Sequence, residues 1–119
     1  MVMTPAFGDA AMGTVPFIKD ETEFDSLLSG EPILVVDFTA SWCGPCKVVA
    51  PLMEQLAEEY RDRAQVFKLD LDENKALAKR FAIKSIPAVM LFKQGEPMQT
   101  LVGAKPYSIF SAAVDELIG

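Results

Sequence analysis

The chain has 119 residues, half of them hydrophobic, with eleven Lys and Arg against seventeen Asp and Glu and a formal net charge of −6. That is the length of one domain, and the apolar share suffices for a core without many disulfide staples. The acidic balance, with no basic cluster, excludes the phosphate-neutralising surface of non-specific nucleic-acid binding. No apolar run approaches the roughly 20 residues of a membrane span. Histidine is absent. Cys–His and Ser–His nucleophilic pairs are thereby excluded, and two cysteines alone do not complete an ordinary structural zinc site. No metal and no bound cofactor is expected.

Residues 1–14 carry no basic residue and no continuous apolar stretch. They match neither a secretory signal nor an Arg-rich transit peptide. They read as a flexible N-terminal extension of a cytoplasmic protein, with the domain spanning 15–119. Val15-Pro16-Phe17-Ile18 is a short strand candidate. Asp20 with Glu23 forms a capping-box start, and Phe24, Leu27 and Leu28 follow at helical spacing until Ser29-Gly30-Glu31-Pro32. The near-continuous apolar run 33–38 suits a strand covered on both faces. Val49, Leu52, Met53, Leu56, Ala57 and Tyr60 then mark an amphipathic helix, with Glu54, Gln55, Glu58 and Glu59 turned outward and a kink at Pro51.

Residues 66–71 are a second parallel strand candidate, so 33–71 reads as a strand–helix–strand unit. A short helix carries Leu77, Ala78 and Phe81. Residues 87–92 form another strand, Lys93-Gln94-Gly95-Glu96 a tight connection with Gly95 at positive φ, and Met98 to Val102 an antiparallel return. Pro106 fits the first turn of a last helix whose apolar face is Phe110, Ala113, Val114 and Leu117. There is no internal repeat. One α/β domain follows, with a central mixed sheet and helices on both faces.

Chemistry concentrates in Trp42-Cys43-Gly44-Pro45-Cys46-Lys47, which holds the only two cysteines. A purely structural bridge across so small a loop would constrain the unfolded chain very little, so reversible dithiol–disulfide chemistry is the better reading. Asp37 lies inside the apolar strand. Burial raises a carboxyl pKa and suits a general base near neutrality; the alternative is a core carboxyl satisfied by hydrogen bonds. Trp42, just before Cys43, reads as a contact-surface residue rather than a core one.

Val35-Val36-Asp37-Phe38, the Trp42–Lys47 segment, Ala50-Pro51, Ser85-Ile86-Pro87 and Val102-Gly103-Ala104 together resemble the thioredoxin family in order and spacing. The resemblance covers roughly residues 15–118. It implies the thioredoxin fold, a five-stranded mixed sheet flanked by four helices, and an activity that reduces protein disulfides. Gly44-Pro45 resembles the reducing branch; oxidising and isomerising relatives tend to carry histidine there. Thr39 stands where many members carry a bulky aromatic.

The resemblance assigns Cys43 as nucleophile at a helix N-terminus, Cys46 as resolving thiol, and Asp37 to proton transfer with Cys46 through water. Lys68 matches the family lysine near that carboxylate, with a solvated edge lysine as the alternative. Pro87 matches the family's cis-proline; Ile86 and Pro87 would line a groove that docks an extended substrate backbone by strand addition. The small Gly103 and Ala104 would let that backbone approach.

If the helix terminus lowers the Cys43 pKa from about 8.5 to about 7, the thiolate fraction at neutrality rises roughly fifteenfold. Falling nucleophilicity cancels about fivefold of that. The larger gain lies in the intramolecular attack by Cys46. The Cβ atoms of residues i and i+3 on a helix lie about 5–6 Å apart, wider than a disulfide wants, so the first turn must adjust and the bridge should stay reducible.

The partners implied are disulfide-containing target proteins and a thioredoxin reductase drawing on NADPH or ferredoxin. A monomer is expected, with neither nucleic acid nor membrane as a partner. The competing readings are a non-enzymatic binding module on the same fold and an oxidant or isomerase.

Overall fold

The computed structural model describes residues 15–119; the extension expected over 1–14 lies outside the described residues. Helix α1 (Glu21–Gly30) starts where the capping signal predicts. Asp20 Oδ1 accepts the Glu23 N–H at 2.9 Å. Glu23 Oε1 reaches back to the Lys19 N–H at 2.7 Å, one residue beyond the cap itself, so the reciprocal half of the box is displaced.

Strand β1 (Ile33–Thr39) follows and is buried over 33–38. It pairs in parallel with β2 (Gln65–Asp70) and antiparallel with β3 (Ala88–Lys93), which pairs antiparallel with β4 (Glu96–Val102). The order β2-β1-β3-β4 puts β1 inside the sheet, which explains its near-continuous apolar run. Gln94 (φ 54°) and Gly95 (φ 81°) form the two-residue turn between β3 and β4, both in the left-handed region.

Helix α2 (Gly44–Glu59) makes the crossover between β1 and β2, and it runs through Pro51 without interruption. Helix α3 (Lys75–Arg80) precedes β3, and α4 (Tyr107–Ile118) closes the chain. Pro106 is the residue before α4 rather than its first turn.

Two cores result. One lies between the sheet and α2 with α4, around Val35, Val49, Met53, Leu56, Leu91 and Phe110. The other lies under α1 and α3, where Phe24, Phe81 and Phe92 meet with ring centroids 5.2–5.7 Å apart. The Tyr60 hydroxyl donates to Asp115 Oδ1 at 2.6 Å, and the Tyr107 hydroxyl donates to Glu59, so the far end of α2 is tied to α4. Glu54 is not turned outward as expected. It is half-buried, and its Oε2 accepts the Val15 N–H at 3.3 Å.

Among the described residues the expected five-stranded sheet is four-stranded. Val15–Ile18 contributes only an isolated parallel bridge, Phe17 to Lys68, made by Lys68 N–H to the Pro16 carbonyl (2.8 Å) and Ile18 N–H to the Lys68 carbonyl (2.7 Å). The next rung in a parallel ladder would run from the residue-16 N–H to the Val66 carbonyl, and proline has no N–H. On the other side the chain turns at once into the α1 cap at Asp20.

Ala82, just past α3, sits at φ 55°, with Ala82 N–H bonded to Lys79 and Ile83 N–H to Ala78. This is a Schellman ending with alanine at the position glycine usually holds. A left-handed L-residue costs roughly 1–2 kcal/mol, while glycine loses roughly 0.4–1 through the unfolded chain. Ala82→Gly is therefore expected to stabilise the fold by about 0.5–1 kcal/mol, read as a higher urea midpoint at unchanged m-value.

Candidate active site

Beyond Thr39 the chain turns through Ala40, whose carbonyl accepts the Cys43 N–H at 3.2 Å, and enters α2. Cys43 is the cap of that helix. Its backbone is extended and its Sγ accepts the Cys46 N–H at 3.2 Å. A sulfur thus stands where Ser, Asp or Asn usually cap. Gly44 and Pro45 take the first two helical positions, where the missing Pro45 N–H would have had no intrahelical partner. Cys43 and Cys46 are joined in a disulfide with Cα atoms 5.4 Å apart.

Both cysteines are covered, at 4% and 2% exposure, and pack with Ala40 and Ile86. The rim is open: Gly44 and Pro45 are exposed, and Trp42 is 69% exposed. The Trp42 indole N–H donates to Asp72 Oδ2 at 2.9 Å. Asp72 was not read from the sequence, where it is one of several acids in a polar turn. Its own N–H bonds Asp70 Oδ1 at 2.8 Å, which holds the loop in place.

The Ile86–Pro87 bond is cis, as the resemblance implies. The Pro87 carbonyl accepts the Gly103 N–H at 2.8 Å, and Gly103 takes φ 103°, a conformation that favours glycine. Ala104 is exposed beside it. Pro87 itself is buried, and Ile86 is half-buried against the cysteines.

Asp37 is 1% exposed, and its Oδ1 has no hydrogen-bond partner among the described residues. Burial pushes Asp37 up to about 7, and the nearby Lys68 charge opposes the rise. Lys68 is the register partner of Asp37 across the β1–β2 pair, so both side chains leave the same face of the sheet. The structure thus gathers Cys43, Cys46 and Ile86 by contact, with Pro87 and Gly103 joined behind Ile86. Asp37 and Lys68 lie on the sheet face beneath α2.

Comparison with known proteins agrees with this geometry. The thioredoxin family model matches residues 15–116. A thioredoxin from Staphylococcus saprophyticus is 40% identical over 99 residues, 83% of this chain and 93% of that protein. A bifunctional thioredoxin reductase/thioredoxin from Mycobacterium leprae is 46% identical over 88 residues, 74% of this chain and 19% of its own length. Among solved structures, Malassezia sympodialis thioredoxin superposes with a TM-score of 0.82 at 33% identity, covering 88% of this chain and 94% of that one. A four-stranded mixed sheet with a Cys-x-x-Cys bridge at a helix cap defines a thiol–disulfide oxidoreductase of proteins. The chain belongs to the thioredoxin family.

Proposed function

We propose that this chain is a reductant of protein disulfides in which Cys43 attacks, Cys46 resolves and Asp37 manages the proton. The observation that carries the assignment is the asymmetry of the cysteine pair. Cys43 is the helix cap with an N–H aimed at its sulfur, and Cys46 lies within the first turn. Hydrogen bonding and the positive end of the helix favour a thiolate at the cap.

In the reduced protein the Cys43 thiolate attacks one sulfur of a target disulfide. A Cys43–target disulfide forms and the second target sulfur leaves as thiolate. Cys46, deprotonated with Asp37 as acceptor, then attacks Cys43 Sγ. The internal bridge closes and the first target sulfur is released. Two electrons pass from the dithiol to the target, and the bridged form is the product.

Target backbone docks beside Ile86, whose N–H and carbonyl carry no hydrogen bond among the described residues, while the Pro87 carbonyl is already taken by Gly103. Trp42, held by Asp72, and the small Gly103 and Ala104 complete the contact surface, and Gly44-Pro45 keeps the turn narrow. Lys68 supports Asp37 through its charge. A thioredoxin reductase restores the dithiol, in keeping with the fusion of the two activities in the Mycobacterium leprae relative. A monomer working in the cytoplasm fits this role, and the β4 edge carries Glu96 and Pro97, which discourage edge pairing.

The test is the equilibrium potential of the Cys43–Cys46 couple against a defined thiol buffer. A value more negative than about −250 mV fits a general reductant, and one above about −200 mV would assign an oxidant or isomerase instead.

A further inference from the structure

The lone bridge that survives from the expected fifth strand stands at one particular register. It sets Phe17 against Lys68, and Lys68 is in turn the partner of Asp37. Directly paired residues point to the same face, so Phe17, Lys68 and Asp37 stand abreast across three neighbouring segments. Strands lie about 4.8 Å apart, and a lysine stem is long enough to close an ion pair with a carboxylate on the next strand. Lys68 does not do so. Its Nζ sits 4.5 Å from the centre of the Phe17 ring, toward the sheet edge, and no ion pair joins it to Asp37 among the described residues. The ring is half-exposed, at 51%, a large apolar surface left in solvent.

We propose that Phe17 is a positioning residue of this site: its ring face holds the Lys68 ammonium and keeps it from closing onto Asp37. The proposal rests on Asp37 as the proton acceptor only for its consequence in turnover, not for the geometry.

The surroundings leave Lys68 as the group to move. β3 faces Asp37 with Val89, its register partner, and α2 covers this face with Val49. Glu54 of α2 lies further along and receives the Val15 N–H. The charge whose field acts on Asp37 is that of Lys68. With the ring in place the ammonium acts at a distance, and the carboxyl keeps its proton to near-neutral pH. With the ring removed, the ammonium relaxes toward the carboxylate and favours its charged form.

The experiment is a carbon-13 titration of the Asp37 carboxyl in the disulfide form, where neither sulfur titrates. Phe17→Leu keeps apolar bulk and removes the π face. It is expected to lower the Asp37 midpoint by about half a pH unit, the size of an exposed cation–π contact. Phe17→Tyr retains the face and should leave the midpoint in place. In a Lys68→Met background, Phe17→Leu should have no effect.

An unmoved midpoint in Phe17→Leu overturns the proposal. So does a shift that persists in the Lys68→Met background, because the ring would then act through burial alone. The pH profile of mixed-disulfide resolution separates the two readings. A carboxyl midpoint that moves while the rate profile stays put supports the positioning role and removes Asp37 as the proton acceptor.

Discussion

Replacing Cys46 with serine is expected to arrest the protein as a covalent adduct with its targets and to slow turnover by on the order of 10⁴-fold or more. The asymmetry of the site makes the effect one-sided. Cys43 remains at the helix cap, and the N–H that points at it belongs to the backbone of residue 46, which the substitution leaves in place. The first attack therefore proceeds. The second has no internal thiol, and release then depends on a thiol from solution, without the effective molarity of a group fixed three residues away in the same turn. Intact-mass measurement after mixing with a disulfide protein should show the adduct in near-stoichiometric amount. Cys43→Ser should show neither adduct nor turnover. An adduct formed through Cys46 in that variant would reverse the assignment of the two sulfurs.

The helix faces were legible because they obey one period. Val49, Met53, Leu56 and Tyr60 are buried as their spacing predicts, and so are Phe110, Ala113, Val114 and Leu117. The β3–β4 turn was legible because Gly95 supplies a backbone conformation that other residues resist. The expected fifth strand is reduced to one bridge for an equally local reason. Val15–Ile18 has strand composition, but the missing N–H of Pro16 removes the next rung of a parallel ladder. Ala82 carries no signal at all, since alanine is a poor guide to a left-handed position.

Within the site, the cysteines, Asp37 and Ile86–Pro87 announce themselves by residue type and order. Asp72 and Phe17 do not. Each acts through one side chain brought in from a distant segment, Trp42 in one case and Lys68 in the other. Glu54 shows the same limit from the opposite direction. The helical wheel turns it outward, yet the arriving N-terminal segment brings it an N–H to bind. Periodicity reports which face of an element is apolar; it does not report which backbone group will need a partner there.

Asp37→Asn is expected to produce a protein that is both more stable and less active. The folded carboxyl titrates near 7 against an ordinary 3.8 because it is buried, with Lys68 offsetting only part of that burial. Below the ordinary value both folded and unfolded chains hold the proton, and stability is complete. As pH rises from there toward 7, the unfolded chain releases its proton while the folded chain keeps it. The unfolded state gains, and stability falls until the folded carboxyl also ionises, a loss of about 4 kcal/mol.

The asparagine side chain has no charge to form, so its stability should be flat across that window. The gain over the parent at alkaline pH should be about 2–4 kcal/mol, short of the full amount because a buried amide also asks for hydrogen-bond partners. Activity moves the other way. Without an acceptor for the Cys46 proton, resolution of the mixed disulfide should slow about a hundredfold at neutral pH and lose its dependence on a group titrating near 7. Urea unfolding of the disulfide forms at about pH 5 and about pH 9 checks the first half, and single-turnover rates check the second. Parallel stability–pH curves for parent and variant would show that Asp37 is not the group that destabilises the fold. An unchanged rate in a variant that has gained stability would show that the buried carboxyl plays no part in the proton transfer.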